Sequence, residues 1–159
     1  MKTGIIFIFH NNEGDIDSSI FIDQIQGTKN LEMCLVNNDS IDNTFGILKE
    51  IKEECKNVSL VNIRRFKSDL SAVRAGARFM FNQHDLGHIG FVSANEINGK
   101  YYKINDLLKL ICEKLEEIKK YNNTVLSRQE MKQTLFQSLF SITQYLKEIK
   151  VENQLVSLK

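Results

Sequence analysis

Proline and tryptophan are both absent from this chain of 159 residues. Without proline, the turns must rest on glycine, asparagine and aspartate. Cysteine is sparse: Cys34, Cys55 and Cys112. Their number is odd and their spacing matches no metal or redox motif. Each sits in an apolar pattern and reads as a small buried hydrophobe. That usage points to a reducing compartment, so a cytoplasmic location is expected. Charge is nearly balanced at a formal +1, which leaves no global field to attract nucleic acid or an anionic membrane. No apolar run is long enough to span a bilayer. Residues 4–9 are apolar, but that run is too short for a signal-peptide core and no small-residue cleavage site follows.

What is present suits one folded domain. Hydrophobic residues make up 42% and charged residues 26%, the proportions of an ordinary globular chain with a real core. Neither an internal repeat nor a low-complexity tract occurs. The stretch around which the rest is organised is Cys34–Thr44, CLVNNDSIDNT. Leu35 and Val36 close an apolar run, Asn37 to Asp42 form a polar turn, and helical spacing then begins at Ile47, Leu48, Ile51 and Cys55. A polar turn at a strand's carboxyl end is where open α/β sheets bind ligands. The same composition also suits a capped turn with no ligand.

Similar units flank it. Ile5–Phe9 reads as a strand buried on both faces, followed by the polar turn His10–Gly14. Apolar residues at 16, 20, 21 and 25 then predict a short helix that Gly27 ends. Leu31–Val36 is a second strand, its helix runs to about Lys56, and Val58–Ile63 is a third strand. After the basic Arg64, Arg65 and Lys67, Ser68 or Asp69 is the N-cap of a third helix with Leu70, Val73, Ala77, Met80 and Phe81 facing the core. The small Ala72, Ala75, Gly76 and Ala77 let that helix lie close to a sheet. Ile89–Val92 is a fourth strand, ending at Ser93–Glu96, and Asn98–Gly99 is a turn signal. Strands alternating with helices predict an α/β fold: a mostly parallel twisted sheet with flanking helices.

The last third changes character. Leu107, Leu108, Ile111, Leu115 and Ile118 form one helical stripe, Tyr121–Thr124 reads as a break, and Ser127 with Glu130 makes a capping box. Met131, Leu135, Leu139, Ile142, Leu146 and Ile149 then repeat at alternating steps of four and three. The expectation is an α/β core over residues 1–100, a helical hairpin over 101–150 packed on it within one domain, and a frayed tail over 151–159. The hairpin's stripe either covers the core or, through residues 105–150, makes a homodimer or partner contact.

Three blocks together resemble the nucleotide-binding half of a family 2 glycosyltransferase, the inverting type with the GT-A fold. They are IIFIFHNNEGDI, CLVNNDSIDNT and DLSAVRAGARFMFNQHDLGHIGFVSAN, spread over residues 1–100. The first resembles the family's opening strand and its Tyr-Asn-Glu type turn. The second is similar to its Val-Asp-Asp-Gly-Ser-Thr-Asp-Asn-Thr, and the third to the stretch that ends in its Asp-x-Asp. The resemblance implies a nucleotide-diphospho-sugar pocket drawn from His10, Asn11, Asn37, Asn38, Asp39, Asp42, Arg64, Lys67, Arg74, Ser93, Asn95 and Glu96.

Several positions depart from that pattern. Asn37 and Asn38 stand where the family has its first aspartate pair, and Asp39 stands at its glycine. Ser93, Ala94 and Asn95 stand at the Asp-x-Asp that chelates the family's divalent metal. Neutral oxygens suit a hard cation poorly, so no cofactor is expected, and Mn²⁺ or Mg²⁺ would bind only if this degenerate site still held metal. Glu96 is one position out of register and, on a strand, would point to the other face. A helical hairpin is expected where the family has its acceptor half, and no residue there stands out as the family's general base. The resemblance therefore implies a degenerate glycosyltransferase-like protein with a reduced nucleotide-sugar pocket, inactive or dependent on a partner. The alternatives are an active, compact, metal-independent transferase and an interaction module working through the hairpin. Of the histidines, His10 lies at a strand end, and the spacing of His84 and His88 suits a metal only on a continuous helix that Gly87 would break. The basic Arg64, Arg65 and Lys67 suit an anion contact or a solvated loop, and neither nucleic acid nor a membrane is an expected partner.

Overall fold

The computed structural model describes residues 2–83, 86–97, 102–127 and 139–157. In chain order the elements are β1 (Lys2–Phe9), α1 (Ser18–Gln26), β2 (Leu31–Asn38), α2 (Thr44–Glu54), β3 (Val58–Ile63), α3 (Asp69–Gln83), β4 (Leu86–Ser93), α4 (Ala94–Ile97), α5 (Ile104–Glu113), α6 (Leu115–Ser127), β5 (Leu139–Ser141) and α7 (Ile142–Ser157). The strands form one sheet in the order β3-β2-β1-β4-β5, and every pairing is parallel. The α/β architecture expected from the alternation of strands and helices is therefore present, with a fifth strand that periodicity did not reveal.

β1 runs through the middle, and its apolar residues serve both faces. Ile6 and Ile8 pack with Cys34, Val36, Ala72, Val73, Ala77 and Met80 beneath α3. Ile5, Phe7 and Phe9 pack on the other side with Phe21 and Ile25 of α1, Leu48 and Ile51 of α2, and Leu107, Leu108 and Ile111 of α5. Phe7 and Phe9 stack at 4.5 Å, with Phe21 tilted against both. Full burial of each such side chain is worth roughly 1.5–3 kcal/mol. The connections through α1 and α2 step from β1 towards β3, and the one through α3 steps back across to β4. Crossovers of one hand that step in opposite directions lie on opposite faces. This is why α3 has one face largely to itself, and the step back across β1 is where the strand order reverses, between β1 and β4.

The small residues of α3 act as their composition suggests. A Cβ on Gly76 would stand 2.9 Å from Ile6 Cγ2 and 3.2 Å from Val36 Cγ2. Leu70 differs from expectation: it is 58% exposed. Its angle around α3 matches the buried stripe, but it lies in the first turn, past the strand ends. Of the two cap candidates, Ser68 is the cap, its Oγ accepting from the Ser71 N–H at 3.3 Å. At α1 the cap is Asp17, which accepts from the N–H groups of Ser19 and Ile20. Gly27 does end α1, but with φ −80, so its position makes no use of glycine's conformational freedom.

The C-terminal third departs most from the sequence reading. α6 runs through Tyr121–Thr124, and the break between helices falls at Lys114 instead. Leu139 belongs to β5 and not to a helix. β5 pairs with β4 at Ile89–Leu139, Gly90–Phe140 and Phe91–Ser141. Gly90 explains the close fit: a Cβ there would come within 2.7 Å of the Phe140 ring. Helix α7 then continues past Ile149 to Ser157. Ile142 and Leu146 are buried in the core, and Tyr145 meets Tyr121 at 5.2 Å. The stripe residues Leu107, Leu108, Ile111, Leu115 and Ile118 are likewise buried against the chain's own body. The Asn98–Gly99 turn, His84, Glu130 of the capping box, Met131 and Leu135 lie outside the described residues.

Candidate functional site

The carboxyl ends of β1, β2 and β4 meet in a single hydrogen-bonded frame. Two turn residues adopt left-handed backbone, Asn11 at φ 54 and Asp39 at φ 52. Asparagine and aspartate tolerate that region better than other residues with a Cβ. Asp39 stands where the resembled motif has glycine, so the turn keeps a glycine-like shape with a carboxylate added. That carboxylate accepts from the Phe66 N–H at 3.2 Å.

Asn12, buried at the end of the first turn, is the hub. Its N–H donates to Thr44 Oγ1 at 2.7 Å, its Oδ1 accepts from the His10 N–H at 2.8 Å, and its Nδ2 donates to Asn95 Oδ1 at 2.7 Å. Asn95 returns the tie by donating Nδ2 to the His10 carbonyl at 2.8 Å. Asp42 holds the second turn, accepting from the hydroxyl and N–H of Thr44 and from the Glu13 N–H. Slight burial pushes the Asp42 carboxyl up, but these hydrogen bonds outweigh it and hold the group below its ordinary value. Asn38 clamps the β3–α3 loop: Oδ1 accepts from the Lys67 N–H at 3.0 Å while Nδ2 donates to the Lys67 carbonyl at 2.8 Å.

The His10 ring is locked in the same way. Nδ1 lies 2.6 Å from the Asn38 carbonyl, which only accepts, so Nδ1 carries the proton. Nε2 lies 3.1 Å from Asn11 Nδ2. The Asn11 amide is oriented by the Ile41 N–H, which donates to Oδ1 at 2.8 Å, so Nε2 is the acceptor. Both ring nitrogens are thus engaged within the frame.

Beside this frame, where the strand order reverses, lies a cleft of about 330 Å³ lined by Ile8, His10, Phe66, Asp69, Ser93, Asn95 and Glu96. Open α/β sheets bind ligands at this point, outside the carboxyl ends of the strands. Phe66 is 59% exposed and meets the His10 ring edge-on at 4.8 Å.

No family model matches the chain, and no curated protein does. Among the solved structures that align with part of it are these two. One is the crystal structure of residues 1–349 of S. aureus TarS, at 15% identity and a TM-score of 0.46, covering 58% of this chain and 27% of that one. The other is the mannosyltransferase PcManGT from Pyrobaculum calidifontis in complex with GDP-Man and Mn²⁺, at 17% identity and a TM-score of 0.40, covering 50% of this chain and 24% of that one. The chain thus spans about a quarter of the length of either structure.

Of the residues drawn from the sequence, the cleft brings together His10, Ser93, Asn95 and Glu96. Asn11, Asn38, Asp39 and Asp42 are engaged in the frame. Asn37 is buried and donates to Asn62 Oδ1 at 2.9 Å. Arg64, Lys67 and Arg74 have exposed side chains outside the cleft lining. Glu96 lines the same cleft as Ser93, against the alternation argument, because β4 ends at Ser93 and Ala94–Ile97 is a helical turn. Phe66 was missed as a site residue. A lone aromatic inside a polar loop at a strand end was the available signal for it.

A divalent cation of the kind the resembled family uses fits this donor set badly. Ala94 has no donor atom, and both ends of the Asn95 amide are occupied. Among the described residues, no group of three or more His, Cys, Asp or Glu side chains could hold a metal. His88 meets Asn122 Nδ2 at 2.7 Å, and burial followed by the nearby Lys119 charge lowers its pKa. No helix among the described residues is long and apolar enough to cross a membrane.

Proposed function

We propose that this chain is a glycosyltransferase-like protein that holds a nucleotide-diphospho-sugar at the cleft between β1 and β4, and that metal-dependent transfer is not carried by this chain alone. The observation behind this reading is the cleft's place: it opens where the strand order reverses, and Ile8, His10, Asp69, Ser93 and Asn95 in its walls belong to the first and third of the blocks that carry the sequence resemblance. The frame around Asn12 and Asn95 makes it a preformed pocket. The position that would supply the second chelating carboxylate instead ties β4 to β1. Of the cleft's ionisable side chains, His10 is held in the frame by both ring nitrogens, and Asp69 and Glu96 bring their carboxylates to the cleft.

Thermal unfolding with nucleoside diphosphates and nucleotide sugars, in EDTA and in Mn²⁺, tests the reading. A ligand at ~100 times its dissociation constant stabilises the fold by ~2.7 kcal/mol, several degrees for a chain of this size. The expected result is a shift of equal size in EDTA and Mn²⁺ that is lost in Phe66→Ala. Phe66 is mostly exposed, so that substitution leaves the unliganded melting point within about 2 °C. No shift with any ligand overturns the proposal. Turnover of a nucleotide sugar in EDTA would replace it with the active, metal-independent transferase.

A further inference from the structure

We propose that the β1–β4 cleft is a site for a neutral, hydroxyl-rich sugar ring and leaves the diphosphate of any larger ligand outside. This deepens the reading above and rests on it for the location of the site.

The argument turns on which cleft groups are still free to bond. Both ring nitrogens of His10 are engaged, and so are both ends of the Asn95 amide. Three side chains remain. The Asp69 and Glu96 carboxylates have no hydrogen-bond or ion-pair partner among the described residues. Ser93 is 6% exposed, lines the cleft and also has no partner among the described residues. A hydroxyl that faces a cleft and has no protein partner is free to bond a ligand that enters it. Two carboxylates and a hydroxyl make an acceptor-rich, donor-poor wall. Such a wall suits a ligand that brings O–H donors.

Charge and shape narrow the choice. No lysine or arginine lines the cleft among the described residues, and the side chains of Arg64, Arg65 and Lys67 are exposed outside it. A diphosphate placed between Asp69 and Glu96 would face two like charges with no cation to screen them. The carboxylates come from different elements, the start of α3 and the turn of α4. They therefore offer acceptors from two directions, which matches hydroxyls spread around a ring better than a single ammonium point charge. Phe66 adds an exposed aromatic face for the ring's apolar side or an attached base.

Two sources carry this chemistry: the ribose of a nucleoside and the hexose of a glycoside. Saturation-transfer NMR with titration of the whole chain in EDTA at low salt separates them. The probes are uridine, guanosine, methyl α-glucoside, methyl α-mannoside, UDP and GDP. The proposal expects at least one neutral probe to bind, and each diphosphate to bind no more tightly than its nucleoside. Asp69→Asn and Glu96→Gln, both at exposed positions, should keep the wild-type melting point and weaken the neutral probe by tenfold or more. Binding of nucleosides alone assigns ribose, and binding of glycosides alone assigns hexose. Three results overturn the proposal: no neutral probe binds, a diphosphate binds over tenfold tighter than its nucleoside, or neither variant weakens binding. If diphosphates or nucleotide sugars bind while neutral probes do not, this inference falls and the nucleotide-sugar reading stands. If no probe or nucleotide sugar binds, both fall.

Discussion

Replacing Asn38 with aspartate asks whether the amide itself holds the loop that carries Phe66 and Asp69. Asn38 is 1% exposed, and its amide makes two complementary bonds to one residue, accepting from the Lys67 N–H and donating to the Lys67 carbonyl. A carboxylate keeps the first bond and turns the second into an oxygen–oxygen contact. The lost hydrogen bond is worth ~1 kcal/mol, and the uncompensated buried charge raises the total to about 3 kcal/mol at neutral pH. At roughly 2–4 °C per kcal/mol for a chain of this size, the melting point should fall by ~6–12 °C. Burial and the facing carbonyl both raise the introduced carboxyl's pKa above its unfolded value of about 3.9. The folded state then keeps a proton that the unfolded state has released. Stability therefore falls as pH rises from the unfolded pKa through the folded one. Below that window the protonated acid donates to the Lys67 carbonyl as the amide does, and the deficit should shrink to about 1 kcal/mol. Denaturant unfolding of both proteins at pH 4 and pH 7 reads both numbers. A variant within ~0.5 kcal/mol of the parent at pH 7, or a deficit unchanged at pH 4, would refute the reasoning.

Three further outcomes are expected. Gly76→Val drives a branched side chain into Ile6 and Val36 and should cost ~1–3 kcal/mol in urea unfolding, with no loss if α3 lies farther from the sheet. Leu146→Lys places a charge at a buried core position and should cost more than ~3 kcal/mol. Circular dichroism and size-exclusion chromatography should then show lost structure and not a folded chain that has merely stopped associating. Burial pushes the Cys34 thiol from 9.0 up to about 12. Between those values the folded state holds a proton that the unfolded state has lost, so stability should fall with rising pH by up to ~1.4 kcal/mol per unit. A Cys34→Ala variant with the same alkaline slope would sink that account.

Much of the fold was legible because its signals are local. The continuous apolar run of β1, the apolar close of β2 and the small-residue face of α3 each state their environment within a few residues. The break at Lys114, the strand at Leu139–Ser141 and the exposure of Leu70 were not legible in the same way. Leu139 satisfied a helical repeat equally well. Its state depends on an open edge of β4 and on Gly90, remote in sequence, which leaves room for Phe140.

The candidate site divides along the same line. Sequence alone determined that polar turns follow apolar strands, which places asparagines, aspartates and a histidine at the carboxyl ends of a parallel sheet. It also determined that neutral side chains stand at Ser93 and Asn95, since that is a matter of composition. Tertiary structure alone decided which of those polar groups are spent and which are free. His10 and Asn95 are consumed by bonds to Asn38, Asn11 and Asn12, whereas Asp69, Ser93 and Glu96 converge on one cleft from separate elements. A side chain's chemical type is written in the chain, but whether its hydrogen-bonding capacity is already used depends on partners that only folding brings within three ångströms.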